Sequence, residues 1–371
     1  MNRRDFLAAI PKLFVLAKFT PNVFAQVAPV TPANIASLYN DSIVIDSLCS
    51  PFLETDSLPT PTAVEVVRNS GITAINFTIS DQTFEGTVQN LAYVNALVER
   101  FPQAFMVVRT YSEIARAKGE KKIGILPGFQ YSGFLEENPA RILMFRRLGV
   151  RIMQLTYNNR GAFGDGCLEP GNAGLSKAGQ AAVRRMNEAG VAIDLSHSGY
   201  RTTSEAIESS SKPVLISHSG CAAIYQHPRN KPDSILKSLA DHDGYFGVYL
   251  MPYLVASPTV PTSEHVMQHL LHAINVCGTD HVGIGSDGSI QAVALTPEQQ
   301  KAFDADIARR KQLGIGAPGE DRYPYVPTLN GPDHMEIIAL ELQKRGQPSS
   351  VIEKVLGANF QRIVGEIWGT A

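Results

Sequence analysis

The chain has 371 residues, of which 44% are hydrophobic and 18% are charged, and its formal net charge is -2. This apolar content excludes disorder as the main state, and 33 Lys and Arg against 35 Asp and Glu do not form the basic surface of a typical nucleic-acid-binding protein. Four cysteines in this length exclude a disulfide scaffold, and no run of about 20 uncharged apolar residues predicts a membrane span.

Residues 1–25 have the pattern of an export signal. Arg3 and Arg4 form a twin arginine, residues 10–19 are mostly apolar, and small residues precede a cleavage point near Ala25. This pattern predicts recognition by the twin-arginine export machinery and a periplasmic location for the mature protein. A basic N-terminal arm on a cytosolic protein is the alternative.

Short β-rich apolar runs recur along the rest of the chain. Eight of them predict strands, namely Ser42–Asp46, Ile72–Ile79, Ile123–Phe129, Val150–Thr156, Val191–Ser196, Pro213–Ser217, Gly244–Leu250 and Val282–Ser286.

Helical patterns lie between these runs, namely Thr62–Asn69, Asn90–Arg100, Ala140–Leu148, Lys177–Ala189, Thr203–Ser209, Ser234–Ala240 and Glu264–Val276. Eight strands alternating with helices predict a parallel (β/α)8 barrel that forms one domain over residues 26–371. A doubly wound sheet is the alternative, but residues 46–51 are not the glycine-rich loop that usually follows its first strand.

Three further segments complete the predicted organisation. Residues 104–122 add a short strand and a helix beyond the eight units, and residues 288–333 predict a long lid-like loop because they hold many Gly and Pro and little periodicity. Two helices, Asp333–Arg345 and Pro348–Trp368, end the chain. The irregular spacing of the four cysteines favours buried free thiols.

Polar side chains follow several predicted strands at the point where each strand ends. His197, His218 and Asp287 come directly after the fifth, sixth and eighth strands. The carboxyl ends of the strands in a (β/α)8 barrel meet at one face, which carries the active site. Imidazole is a common zinc ligand, and a carboxylate can take the proton of a metal-activated water. The pattern therefore predicts a divalent-metal site with a general base.

Short motifs around these residues occur in a fixed order, namely Leu148–Thr156, Gly174–Ser176, Asp194–His197, Ser217–Ser219, His227–Asn230 and His281–Asp287. Together they resemble the membrane (renal) dipeptidase family of zinc hydrolases, in a divergent bacterial subgroup, over roughly residues 40–368. The resemblance implies a (β/α)8 barrel of the metal-dependent hydrolase type, often a homodimer, with dipeptides as substrates.

The sequence departs from this family at the first metal site. The family's first strand ends in Asp-Gly-His-x-Asp, whose His and second Asp bind one zinc, whereas Leu48 and Ser50 stand at those positions here. Gln130 replaces the glutamate that bridges the two metals, and a neutral amide is a poor zinc ligand. We therefore expect at most one strongly bound metal.

The second metal site keeps the family's pattern. The resemblance implies that His197 and His218 bind one divalent metal, which we take to be zinc. A catalytic zinc needs three protein ligands, and the candidates for the third are Asp287, Gln130 and Cys167.

The resemblance also implies catalytic and substrate-binding roles. Asp287 corresponds to the aspartate that acts on the catalytic water, and Arg229 corresponds to the arginine that pairs with the substrate carboxylate. Tyr157 replaces a histidine that contacts the substrate in the family.

These observations lead us to expect an exported dipeptidase-like hydrolase that uses one divalent metal to cleave an amide in a small carboxylate-bearing substrate. The alternatives are a barrel enzyme that acts on another small amide or on a non-peptide metabolite, and a non-catalytic periplasmic binding or maturation protein. His265, His269 and His272 lie on one face of a predicted helix, where packing against the barrel is favoured over metal binding.

Overall fold

The computed structural model of the protein describes residues 32–53, 57–136 and 138–369. Its strands are β1 (Ile45–Asp46), β2 (Cys49–Ser50), β3 (Ala74–Thr78), β4 (Phe105–Val107), β5 (Ile123–Phe129), β6 (Ile152–Gln154), β7 (Ala192–Asp194), β8 (Leu215–Ser219), β9 (Tyr245–Val248), β10 (Val282–Ile284) and β11 (Gly288–Ser289). The predicted export signal lies outside the described residues.

Eight parallel strands form the barrel in the order β1, β3, β5, β6, β7, β8, β9, β10. The Ser47 N–H donates to the Ile284 carbonyl at 2.9 Å, which brings the first and last strands together. Strand β4 pairs with β5 outside this order, as the extra unit predicted over residues 104–122. The (β/α)8 barrel predicted from the sequence is therefore confirmed.

Helices cover the outside of the strands. They are α1 (Pro32–Asp41), α2 (Pro61–Arg68), α3 (Phe84–Arg100), α4 (Tyr111–Gly119), α5 (Ala140–Leu148), α6 (Lys177–Ala189), α7 (Tyr200–Ser209), α8 (Asp233–Asp241), α9 (Ser263–Cys277), α10 (Pro297–Gln312), α11 (His334–Lys344), α12 (Ser349–Glu353) and α13 (Asn359–Trp368). No described helix combines the length and the apolar character that a bilayer crossing needs.

Successive residues of the strands contribute to two separate apolar clusters, as side chains of a strand alternate between its faces. Ile125 belongs to the large cluster between strands and helices, whereas its neighbour Leu126 belongs to a smaller one. The smaller cluster joins residues of seven barrel strands to Phe360 and Ile363 of α13. Helix α13 thus closes one end of the barrel with apolar side chains.

Polar groups fill the barrel interior beside this apolar plug. Ser47 Oγ donates to the Ser217 carbonyl at 2.6 Å, and Asn76 Nδ2 donates to the Ser47 carbonyl at 2.9 Å. A Cβ at Gly285 would lie 2.0 Å from the Ser217 carbonyl oxygen, so only glycine fits there. These buried hydrogen bonds satisfy the Ser47 hydroxyl and the Asn76 NH2 group and help to fix the positions of the strand ends that follow.

The segment 288–333 differs from the loop that the sequence predicts. It contains β11 and the 16-residue helix α10, and that helix has no buried residue. A helix without a buried face lacks the apolar periodicity that reveals a helix in a sequence. The final predicted helix is divided into α12, a π turn over 354–358 and α13. A Cβ at Gly357, inside that turn, would lie 2.5 Å from the Ile43 carbonyl oxygen.

Candidate active site

His197 lies in the turn that follows β7. Its Nδ1 is 2.7 Å from Asn158 Oδ1, and Asn158 Nδ2 donates to the Ile315 carbonyl at 3.0 Å. Because Asn158 uses its NH2 group there, its oxygen accepts from His197 Nδ1, and His197 Nε2 keeps its lone pair. That Nε2 is buried and has no hydrogen-bond partner within the described part of the chain. A buried imidazole lone pair of this kind suits a metal ion.

His218 lies in β8 and is fully buried. Its Nδ1 is 2.8 Å from Ser217 Oγ, which donates its single proton to Asp194 Oδ2 at 2.5 Å. Ser217 Oγ must therefore accept from His218 Nδ1, so His218 also presents the lone pair of its Nε2. The ring centroids of His218 and His197 are 5.1 Å apart. The two predicted ligands thus have the tautomer that metal-bound histidines adopt, fixed by hydrogen bonds to Nδ1.

Asp194 organises both histidine turns from inside the barrel. Its carboxylate accepts from the backbone N–H and the hydroxyl of Ser196 at 3.1 and 2.6 Å, and from those of Ser217 at 3.0 and 2.5 Å. Burial raises the pKa of this carboxyl, and the four hydrogen bonds oppose that shift. One buried side chain therefore fixes the backbones on which His197 and His218 lie.

Both histidines are neutral in this environment. Burial lowers the pKa of His197 and the pKa of His218 well below the ordinary value of 6.5, and the nearby Arg229 lowers both further. A neutral imidazole is the form that binds a metal.

Gln130 lies between His218 and Asp287. Its Nε2 donates to Asp287 Oδ1 at 3.1 Å and lies 3.4 Å from His218 Nε2. Its backbone N–H is held by Thr78 Oγ1 at 3.2 Å and by Ser80 Oγ at 3.1 Å. The amide NH2 group thus approaches two acceptors, an imidazole lone pair and a carboxylate oxygen.

Asp287 follows β10 in the left-handed backbone conformation, with φ of 57°. Its N–H donates to the Leu48 carbonyl at 2.9 Å, which ties it to the end of the first strand. Burial raises the pKa of Asp287 to about 6, although Arg229 and the Gln130 hydrogen bond lower it. A carboxylate with a pKa in this range is suited to accepting a proton near neutral pH.

Arg229 and Lys231 hold the backbone on both sides of His197. Arg229 Nη1 donates to the Ser196 carbonyl at 2.5 Å, and Lys231 Nζ donates to the Ser198 carbonyl at 2.5 Å. Both cations are buried. Burial, together with the nearby Arg229, lowers the pKa of Lys231 to about 7. The predicted substrate role of Arg229 stays a prediction, since its observed partners are backbone carbonyls.

Tyr157 covers His197 from the side of the segment 288–333. The two rings are stacked with centroids 4.2 Å apart. The Arg310 guanidinium of α10 lies over the Tyr157 ring, 5.8 Å from its centroid, and pairs with Glu320. The segment predicted as a lid therefore contacts the site through Arg310. The substrate role of Tyr157 stays a prediction.

Leu48 and Ser50 bring no metal ligand to the site. Leu48 is only 4% exposed, and Ser50 Oγ donates to the Phe52 carbonyl at 2.5 Å within its own loop. Asp46, just before them, accepts from the Ser286 N–H at 2.8 Å, and its other oxygen is 3.1 Å from His334 Nε2. The first strand thus keeps its structural carboxylate without the ligands of the first metal.

These residues suit one divalent cation but not the two-metal centre that the resemblance implies. His197 and His218 offer two lone pairs, one of which has no partner in the described residues. Within residues 32–53, 57–136 and 138–369, no three His, Cys, Asp or Glu side chains converge on a metal position. The amide Nε2 of Gln130 lies 3.4 Å from His218 Nε2, so Gln130 could act as a third ligand only after a half-turn that presents its carbonyl oxygen.

The remaining predicted candidates have other partners. Cys167 Sγ lies 3.6 Å from Asn158 Oδ1, beside the site. All four cysteines are free; Cys49, Cys221 and Cys277 are buried as predicted, whereas Cys167 is only partly buried. His265 caps the start of α9, His269 bonds to backbone groups through both ring nitrogens, and His272 pairs with Asp233. That helix face packs against its neighbours, as the sequence favours.

Several residues that hold the site have no role among the predictions made from the sequence, namely Asn158, Asp194, Ser217 and Lys231. Asn158 follows Tyr157 directly at the end of a strand, and Asp194 ends β7, so their positions were a usable signal. Nothing in the sequence around Lys231 distinguishes it from an exposed lysine.

Comparisons with known proteins identify the family to which the chain is similar. The model of the family described as membrane dipeptidase, peptidase family M19, matches residues 41–304. Dipeptidase verJ of Clonostachys rogersoniana is 30% identical over 72% of this chain, and dipeptidase tcpJ of Claviceps purpurea is 28% identical over 76% of it. The matches cover 69% and 60% of those two relatives.

Solved structures agree with the fold. A Pseudomonas aeruginosa amidohydrolase superposes with a TM-score of 0.80 at 32% identity, over 90% of this chain and 99% of that one. A Rhodobacter sphaeroides metallopeptidase, bound to a phosphinate mimic of L-Ala-D-Ala, has a TM-score of 0.70 at 18% identity, over 88% of this chain and 100% of its own. From the family match and these likenesses, the chain belongs to the membrane dipeptidase family of hydrolases.

Proposed function

We propose that the protein cleaves an amide bond in a small carboxylate-bearing substrate, such as a dipeptide, with the help of one divalent cation. The observation that carries this proposal is His197 Nε2, a buried lone pair without a partner in the described residues and next to His218. An unpartnered buried acceptor is costly unless a ligand satisfies it.

His197 and His218 would hold the cation, zinc in the simplest case, with Gln130 as the third protein ligand. A bound divalent cation polarises an amide carbonyl and lowers the pKa of water. Only one such ion is proposed, since Leu48 and Ser50 supply no donor set for a second.

Asp287 is the proposed general base. Its carboxylate lies beside the histidine pair and takes a proton from the attacking water. The left-handed backbone at Asp287 and the Gln130 hydrogen bond hold the carboxylate in place. The family relatives called dipeptidases favour a peptide bond as the one cleaved.

Substrate binding is assigned to Arg229 and Tyr157. Two of the five N–H groups that a guanidinium carries point at the carbonyls of Ser196 and His218, which leaves donors for a substrate carboxylate. Tyr157 forms an aromatic wall over His197.

Metal analysis of the purified protein tests the proposal. We expect close to one tightly bound ion per chain, and His197→Ala and His218→Ala should each lose it while the barrel stays folded by circular dichroism. His272→Ala, a partly exposed histidine outside the site, is the control that should keep the ion. Cobalt substitution adds an absorption readout that does not depend on activity. Full metal retention in both site variants would overturn the assignment.

A non-catalytic binding protein is the second candidate, and the position of Gln130 favours it. Its NH2 group lies between His218 and Asp287, where it satisfies both acceptors without any ion. Asp287→Asn separates the two functions, since Asn tolerates the left-handed backbone and removes the base. If the unmodified protein hydrolyses dipeptides and Asp287→Asn slows this hydrolysis by about 100-fold, the result supports the enzyme hypothesis. Ligand binding that persists without any turnover in the unmodified protein supports the binding protein.

A periplasmic location and a homodimeric assembly are also proposed for the protein. The twin arginine at Arg3 and Arg4 supports periplasmic export, and replacing both by Lys should keep the precursor in the cytoplasm. Normal export of that variant would contradict the assignment. The family resemblance supports a homodimer, which analytical ultracentrifugation tests directly.

A further inference from the structure

A cavity of about 410 Å³ opens beside Asp287 and away from the histidine pair. Its walls come from the loop around Ser50, from the end of β3, from α3 and from the segment after Asp287. Strand β11 pairs with β2 along this wall, with Ser289 opposite Ser50. The cavity is therefore built on the edge of the site at which the first-metal ligands are missing.

The cavity has an almost uncharged lining. Asp287 is the one charged side chain among its lining residues in the described chain. Phe52, Leu53, Phe77 and Tyr93 contribute apolar surface. The Tyr93 hydroxyl is buried, so the part of that side chain available to the cavity is its ring.

The seryl and threonyl hydroxyl groups in the lining are already used within the protein, whereas the buried Tyr93 hydroxyl has no partner among the described residues. Ser50 Oγ donates to the Phe52 carbonyl at 2.5 Å, and Ser289 Oγ donates to the Gln291 carbonyl at 2.6 Å. Thr78 and Ser80 bond to each other at 3.2 Å and to the Gln130 N–H. Because these groups have partners, they offer a ligand less polar recognition than their number suggests.

The side chains of Thr78 and Ser80 connect the cavity to the candidate active site. Thr78 and Ser80 line the cavity and hold the backbone of Gln130, whose amide contacts Asp287. A substrate with its reacting carbonyl beside Asp287 would therefore place an adjacent side chain in this cavity.

We propose that this cavity is a specificity subsite for an uncharged apolar side chain of up to aromatic size. This inference rests on the proposed function, because a specificity subsite defines the substrate class of the proposed active site. Within the described residues, an acidic side chain would meet Asp287 and no cation among the lining residues. A cationic side chain would lose its hydration against aromatic walls. The substrates are thus amides with one phenylalanine-like or leucine-like side chain, not dipeptides in general.

The test compares two neighbouring substitutions. Val293 lines the cavity, whereas Ala294 is exposed and does not line it. The backbone of Val293 is held by Asn330 through both its N–H and its carbonyl, so Val293→Glu should leave the loop in place. Ala294→Glu adds the same charge one residue away and serves as the control.

For the unmodified protein we expect kcat/KM to be about 10- to 100-fold higher for Phe-Ala or Ala-Phe than for the matching Glu and Lys dipeptides. Val293→Glu should reduce that preference about 10-fold and favour the Lys dipeptides, while Ala294→Glu should change neither. Equal kcat/KM values across the series, or a preference that Val293→Glu leaves intact, would overturn the subsite while hydrolysis itself still supports the proposed function.

A binding measurement distinguishes the two proposals if no dipeptide is hydrolysed. The probe is Phe-Ala with CH2–NH in place of the amide, titrated by calorimetry. Binding that Val293→Glu weakens and Ala294→Glu does not would support the subsite although the proposed hydrolysis fails. No binding of the probe together with no hydrolysis would overturn both.

Discussion

The two halves of the barrel mouth have opposite chemistry. One half, which we call the histidine half, consists of His197, His218 and the side chains that fix them, and almost every polar atom in it has a buried partner. The other, the first-strand half, consists of Leu48, Ser50 and the cavity whose described lining is uncharged apart from Asp287. Asp46 still links the first-strand half to Ser286 and His334. A barrel can therefore lose the ligands of one metal while the hydrogen bonds that position that strand persist.

The largest effect is expected from Asp194 in the histidine half. Asp194→Ala leaves two buried seryl hydroxyls and two backbone N–H groups without their acceptor, which should cost about 3 kcal/mol or more. Urea unfolding followed by circular dichroism measures the loss. Asp306→Ala, on the exposed face of α10, is the control and should change stability by less than about 0.5 kcal/mol. A loss below about 1 kcal/mol for Asp194→Ala would contradict the organising role of this carboxylate.

Lys231 should give the histidine half a distinctive pH dependence. Its pKa is about 7 in the fold, below the ordinary 10.5. Between these two pH values the Lys231 side chain binds fewer protons in the folded protein than in the unfolded chain. The contribution of Lys231 to the free energy of unfolding should therefore rise with pH by up to about 1.4 kcal/mol per pH unit. Below pH 7 the cost of burying the charge is fully present.

Lys231→Met checks this by removing the titrating group while keeping most of the side-chain volume. The free energy of unfolding of the unmodified protein, minus that of the variant, should increase by about 2 kcal/mol from pH 7 to pH 9. Parallel pH profiles for the two proteins would show that Lys231 keeps an ordinary pKa.

Restoring ligands should turn the first-strand half into a metal site. We expect the triple variant Leu48→His, Ser50→Asp, Gln130→Glu to bind one more zinc ion per chain than the unmodified protein, since it supplies an imidazole and two carboxylates. Zinc content after dialysis measures this. Leu48→Asn with Ser50→Asn adds polarity without charge and should leave the metal content unchanged. An unchanged content in the triple variant would mean that the backbone there no longer fits a metal.

The smallest expected effect is a difference in stability loss between two serine-to-alanine variants, one in each half of the barrel mouth. Ser217→Ala breaks the chain from Asp194 to His218 and should cost about 1–3 kcal/mol. Ser50→Ala removes a hydrogen bond within one partly exposed loop and should cost less than about 1 kcal/mol. Thermal unfolding of both variants tests the difference. Equal losses would remove the energetic distinction between the two halves.

Much of the fold could be predicted because its signals are local. Apolar runs such as those of β5 and β8 are short, bounded and followed by helical periodicity, and parallel strands must place their carboxyl ends at one face. His197, His218 and Asp287 were therefore assigned correctly to that face. Helix α10 was missed because an exposed helix has no apolar stripe to reveal it.

The sequence by itself determined the order of the strands, the residues at their ends and the missing ligands at Leu48, Ser50 and Gln130, since each depends on residue identity and short-range pattern. Only the tertiary structure decided that Arg229 and Lys231 hold the backbone on either side of His197, more than 30 residues away along the chain. The tertiary structure alone also brings together the residues that line the cavity beside Asp287. Such contacts exist only after barrel closure brings distant strand ends together, and no local periodicity encodes them.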